Sequence, residues 1–173
     1  MPETPSRQSC SYVVGDDGLS RWSDTHADAW IGLLETHKRL VRALDAELEA
    51  EHGLGLSGVE VLGRLAVAPE RRERLSALAA ACGLSISRIS RIVDVLEARG
   101  LAERRPSPAD ARAVEAHLTG AGLELARAAQ ATHFASVQRQ FFDRLDDDDV
   151  ALLAGVFARF APDAADACDG GRR

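Results

Sequence analysis

Five short or cationic hydrogen-bonding side chains fall within seven residues of this sequence: Ser85, Ser87, Arg88, Ser90 and Arg91. Wound as a helix, they lie opposite an apolar stripe made of Ile89, Val93 and Leu96 and flanked by Ile86 and Ile92. Small hydroxyl residues let a helix approach a surface closely and bond phosphates or base edges. The two guanidiniums can pair with phosphate oxygens or with guanine O6 and N7. An amphipathic helix with two arginines is, on its own, most often an ordinary solvated helix. The segment that follows changes that reading. Arg104 and Arg105 precede the turn-forming run PSPADAR and Arg112 closes it, and a basic loop beside a groove-reading helix reaches the adjacent minor groove or backbone.

The charge distribution agrees. Residues 71–112 hold nine arginines against five acidic residues, a local net of +4, whereas the rest of the chain holds twelve basic against twenty-two acidic residues, a net of −10. The total of −6 therefore conceals a basic stretch able to attract a polyanion. Of the basic residues only Lys38 is a lysine. The others are arginines, whose planar fork suits phosphates and guanine edges.

The elements that position these groups can be read around them. Asp24 to His52 carries Trp30, Leu33, Leu34, Leu40, Val41, Leu44 and Leu48 at mixed three-and-four spacing and predicts a long helix ended by Gly53 and Gly55. Ser57 and Glu60 have capping-box spacing and predict a short helix to about Ala68, stopped by Pro69. Arg71 to Arg74 read as a charged connector. Ser76 is the expected cap of a third helix ending at Gly83, and Ser85 of a fourth, Ile86 to Arg99, ending at Gly100. Leu101–Arg105 and Val114–Leu118 are expected strands around the turn, hence a β-hairpin. Thr119 caps a long helix from about Ala121 to Phe142, and Asp146 to Asp149 open a last helix to about Phe160, where the helix dipole favours negative charge.

Helix, tight turn, helix and basic hairpin make a helix-turn-helix followed by a wing. The stretch resembles the MarR (multiple antibiotic resistance regulator) family of winged-helix transcription factors. The matching residues are Leu84-Ser85, Ser90-Arg91, Asp94, Leu96-Glu97, Gly100-Leu101, Arg104-Arg105, the wing run Pro108, Asp110 and Arg112, and Leu118-Thr119 with Gly122. The pattern departs from many members at the wing, where Ala111 and Ala113 flank a single Arg112 instead of two consecutive arginines. The resemblance implies a fold that is mainly α with a small β-hairpin. It implies a winged helix-turn-helix over about 57–118 and dimerisation helices over about 24–52 and 120–160, all within one domain spanning 24–160. A mobile tail over 1–23 and a flexible one over 161–173 are expected to flank it.

It further implies a homodimer that binds double-stranded DNA at an inverted-repeat operator as a ligand-responsive repressor. Ser85, Ser87, Arg88, Ser90, Arg91, Arg104, Arg105, Asp110 and Arg112 are the expected DNA-binding residues, with Arg112 probing the minor groove and Asp110 holding the wing by ion pairing. Phe134, Phe141, Phe142, Val156, Phe157 and Phe160 are expected at the dimer interface. Trp30, His37 and Arg64 are expected at a pocket for a small-molecule effector.

Other function classes find little support. No Ser-His-Asp grouping, paired-carboxylate signature or Gly-rich phosphate loop can be read, so an enzyme is not expected. The five histidines lack HxxxH or HExxH spacing, and the three cysteines (Cys10, Cys82, Cys168) form neither a disulfide framework nor a CxxC pair. No metal or cofactor is expected. Cys10 reads as an ordinary tail thiol, and Cys82 as a buried one. A composition of 46% hydrophobic and 28% charged residues suits a globular chain. No run of eighteen apolar residues and no signal peptide can be read, so no membrane association and a cytoplasmic location are expected. The rival from another class is a helical dimerisation or interaction module whose winged helix binds protein.

Overall fold

The computed structural model describes residues 12–22, 24–107 and 110–160, with 110–112 described as strand positions only. In chain order the elements are β1 (Tyr12–Val14), β2 (Ser20–Trp22), α1 (Asp24–His52), α2 (Leu56–Val67), β3 (Arg72–Arg74), α3 (Leu75–Cys82), α4 (Ile86–Ala98), β4 (Ala102–Ser107), β5 (Asp110–Leu118), α5 (Gly120–Gln140) and α6 (Asp147–Phe157). Single 3-10 turns occupy Pro69–Arg71 and Phe142–Arg144. The main-α fold with a small antiparallel sheet is the one expected.

Contacts divide the chain inside α1 into two compact units, residues 1–42 and 43–173. In the first unit, part of the expected tail is a hairpin. β1 and β2 pair from Tyr12↔Trp22 to Val14↔Ser20, and the two rings meet edge to face at 5.9 Å. Gly18 takes the left-handed conformation (φ 75°) that closes the turn, and Asp17 pairs with Arg21 at 2.5 Å. Strands of three residues show no readable alternation, which is why the sequence reads as a mobile tail there. No described residue before Leu44 is buried.

The second unit holds the core. Leu62 and Leu65 of α2, Leu78 of α3 and Ile89, Val93 and Leu96 of α4 are enclosed together with Leu48 of α1, Ala116 of β5 and Ala129 of α5. The predicted apolar stripe of α4 is thus its buried face. Complete burial of each large aliphatic side chain contributes about 1.5–3 kcal/mol.

Three local expectations are corrected. α2 begins at Leu56 with Gly55 as its N-cap, a residue with no side chain to offer. The Leu56 amide goes instead to Asp45 Oδ1 of α1 at 2.8 Å, which takes over the role expected of the Ser57 box. A Cβ at Gly55 would stand 2.5 Å from that same oxygen, so the glycine makes room for it. α3 starts directly after Arg74, which β3 holds extended, and Ser76 falls inside the first turn. The connector Arg72–Arg74 is itself a strand, pairing with β5 from Arg72↔His117 to Arg74↔Glu115. Three charged residues carry no strand signal; the open edge of β5 and the Glu115 carboxylate supply the reason. The caps at Ser85, Thr119 and Asp146 are present, each accepting from a backbone amide one turn on.

Candidate nucleic-acid interface

α3 ends at Gly83, whose φ of 63° lets the chain reverse, and the direction changes by 110° between α3 and α4. Turns of this size set the second helix of a helix-turn-helix outward for groove entry. The Ser85 hydroxyl accepts from the Arg88 amide at 3.2 Å and lies 3.1 Å from the Ser87 hydroxyl. Ser85, Ser87, Arg88 and Arg91 are all exposed and border one shallow depression, together with Ser57 of α2. Arg88 Nη2 donates to Ser57 Oγ at 3.4 Å, whereas Arg91 has no hydrogen-bond or ion-pair partner among the described residues. Asp45 and Glu49 line the same depression, so a phosphate is drawn to its arginine side and away from its acidic one.

Ser90 and Arg104 belong to a different arrangement. Ser90 is half-buried and faces the wing. Arg104 Nη2 donates to the Ser90 carbonyl at 2.7 Å and to its hydroxyl at 3.1 Å, while Nη1 reaches Asp94 Oδ1 at 2.5 Å and Glu97 Oε2 at 3.0 Å. The Arg104 amide donates to Glu97 Oε1 at 3.0 Å. The guanidinium is thus engaged within the fold, where it braces β4 against α4. Arg105 is exposed and paired with Glu103 at 2.7 Å.

The wing is the β4–β5 hairpin of a sheet ordered β3-β5-β4. It pairs from Ala102↔Leu118 to Ser107↔Asp110, with a register shift between Pro106 and Ser107. Asp110 and Arg112 occupy the start of β5, next to the tip; their side chains lie outside what is described, as do residues 108 and 109. Charge binds the base of the wing. Glu115 is buried at 8% exposure, with Arg72 Nη1 3.8 Å and His117 Nε2 3.4 Å from its Oε2. The Ser107 hydroxyl, ahead of the nearby Arg72 guanidinium, holds the Glu115 carboxyl below its ordinary range, although burial pushes the other way. β3 and this cluster are not legible in the sequence, since Arg72-Glu73-Arg74 reads only as a charged connector.

The expected effector residues are distributed over both units. Trp30 (53% exposed) and His37 are exposed on the first unit's stretch of α1. Arg64 belongs to the second, where Nη2 donates to the Ala81 carbonyl at 2.9 Å and pairs with Glu60 at 3.7 Å, tying α2 to the end of α3. A separate cleft of about 430 Å³ lies between α2 and α5. Leu56, Val59, Ala66 and Phe134 form its apolar walls, and Arg127, Gln130 and His133 its polar edge. His133 Nδ1 is buried without a hydrogen-bond partner. Sequence reasoning missed this cleft because its lining is scattered over two helices some sixty residues apart.

Cys82 is half-buried and burial raises its thiol pKa, which disfavours the reactive thiolate. Cys10 and Cys168 lie outside the described residues, as does the expected tail over 161–173. Among the described residues no three His, Cys, Asp or Glu side chains converge on a metal-sized site, and no single helix is long and apolar enough to cross a membrane.

Comparison with known proteins accords with this geometry. Residues 52–113 match a model of the MarR family. AbsC, a MarR family transcriptional regulator from Streptomyces coelicolor, is 34% identical with a TM-score of 0.75, over 82% of this chain and 96% of that one. Sco3205, a MarR family regulator from the same organism solved in complex with DNA, is 30% identical with a TM-score of 0.74, over 82% and 89% of the two chains. CouR from Rhodococcus jostii RHA1, solved bound to p-coumaroyl-CoA, is 27% identical with a TM-score of 0.65, over 79% and 93%. Among curated proteins nothing matches the chain.

Proposed function

The chain belongs to the MarR family of transcriptional regulators, and from that premise we propose a homodimeric, sequence-specific DNA-binding repressor that reads an inverted-repeat operator in the cytoplasm and answers to a small molecule. The observation that carries this reading is the outer face of α4. Ser85, Ser87, Arg88 and Arg91 share it, Arg91 is free of partners among the described residues, and the opposite face is locked into the core. Arg112 at the wing adds a minor-groove or backbone contact, and Asp110 steadies the loop. Two copies would set their α4 helices about 10 base pairs apart or at a multiple of that.

The homodimer is supported by α6, which buries no residue although Leu152 and Phe157 lie on it, and by the exposed Phe134, Phe142 and Phe160. Apolar area of this kind marks an interaction surface. The α2–α5 cleft suits an amphipathic effector, its apolar body on Val59 and Phe134 and its polar end toward Arg127 and His133. Trp30, His37 and Arg64 remain proposed contributors to effector response. An effector releases DNA only by binding one spacing of the two reading helices better than the other.

The test is selection of duplexes from a random library with the purified protein. Fluorescence anisotropy on the selected operator across a salt series follows, with sedimentation at micromolar concentration. A steep fall of affinity with salt and twice the chain mass are expected. A stable soluble monomer, or no salt-dependent duplex binding, would refute the reading and favour a protein-binding winged helix.

A further inference from the structure

Arg99 stands at the end of α4, as its C-cap, but its guanidinium ends on another helix. Nη1 donates to the Gly53 carbonyl at 2.7 Å and Nη2 to the His52 carbonyl at 2.8 Å. Those carbonyls close α1, which stops there because Gly53 turns left-handed at φ 62°. The last carbonyls of a helix have no partner within it and carry the negative end of its dipole. A planar, permanently charged fork from outside satisfies two of them at once.

The end of α1 so capped is itself fastened to α5. Glu47 accepts from Ser136, which is fully buried, and from Arg139. Thr132 Oγ1 donates to Glu51 at 2.8 Å and lies 2.8 Å from His52 Nε2. The same end of α4 is tied to the start of α5, since the Thr119 hydroxyl donates to the Gly100 carbonyl at 2.8 Å. The α1 terminus is thus fastened to the second half of α5 and the end of α4 to its start, and Arg99 is the side chain that joins α4 directly to α1.

We infer that Arg99 is a positioning residue that sets the angle at which the α1–α5 platform presents α4, and so the half-site spacing the protein accepts. This rests on the reading of the protein as a dimer on an inverted repeat. Arg99 touches no DNA in this account. It restricts how far the reading helix swings, so its loss relaxes spacing discrimination while each half-site is still read.

The experiment measures affinity for the selected operator, for versions with one base pair added or removed at its centre, and for a duplex holding a single half-site. Each inserted pair turns one half-site by about 35° around the duplex. Wild type is expected to discriminate against the altered spacings about tenfold. Arg99→Ala is expected to discriminate about threefold or less, with half-site binding unchanged, and Arg99→Lys to fall between, since it keeps the charge and loses the fork. If Arg99→Ala proves unfolded, Arg99→Lys against wild type carries the same comparison. A spacing preference equal to wild type in these variants, or an equal loss on every duplex including the half-site, overturns the inference. Wild type that sediments as a monomer and ignores spacing overturns the dimer reading first, and this inference with it.

Discussion

Replacing Arg104 by alanine separates bracing from DNA contact. Arg104 is 24% exposed, whereas its carboxylate partners Asp94 and Glu97 are 60% and 42% exposed. Ion pairs that open to water contribute at most about 1 kcal/mol together after screening and side-chain ordering. The charged bond to the half-buried Ser90 carbonyl adds about 1 kcal/mol more. Arg104 therefore contributes about 2 kcal/mol to holding β4 against α4, beside the core packing of Ala102, and a wing loosened by that amount binds operator up to about thirtyfold more weakly. The salt dependence discriminates. Arg104 already sits among two carboxylates, so its removal should leave the slope of log affinity against log salt unchanged, where loss of a phosphate contact would reduce the slope by about 0.9. Anisotropy titrations on one operator at several salt concentrations, with wild type and Arg104→Ala side by side, give both quantities. A slope reduced by a full contact, or unaltered affinity with the protein folded, would show that the bracing argument is wrong.

Arg91→Ala should cost about 1–3 kcal/mol of operator affinity and relax preference at one position of each half-site, read by competition with base-substituted duplexes. Arg112→Ala should weaken binding to all sequences alike and reduce the salt slope by about 0.9, and Asp110→Ala should be milder, since it loosens the loop without removing its cation. Gly122→Ala should destabilise the fold by about 3 kcal/mol in urea unfolding, because the new Cβ would stand 2.0 Å from the Leu101 carbonyl oxygen, a backbone atom that cannot swing aside. Glu115 has a folded pKa below its ordinary value, so its stabilisation is complete above the unfolded carboxyl pKa and is lost as pH falls through the folded one. Wild type should accordingly lose more stability than Glu115→Gln between pH values of about 5 and 3; equal losses in urea melts at the two pH values would remove Glu115 from the account.

The sequence by itself determined the parts that depend on local patterning. The apolar stripe of α4, its Ser85 cap and its Gly100 stop are short-range features, and Ile89, Val93 and Leu96 are buried where their spacing puts them. The hairpin after it was legible from the Pro- and Asp-containing turn, and the family from motifs within some fifty residues. What only the tertiary structure decided is which polar groups are spent inside the fold. Arg88, Arg91, Arg99 and Arg104 are the same residue type within seventeen positions of chain. Yet Arg104 is consumed by Ser90, Asp94 and Glu97, Arg99 by the end of α1, and Arg91 is left free among the described residues. Strand β3 is the same kind of case: Arg72-Glu73-Arg74 has no intrinsic claim to be extended and becomes a strand because β5 offers an open edge beside a buried carboxylate. Periodicity and capping act over a few residues and leave a trace in the sequence. A guanidinium finds its partner through space, and a separation of 47 positions, as between Arg99 and His52, or of 92, as between Arg139 and Glu47, leaves none.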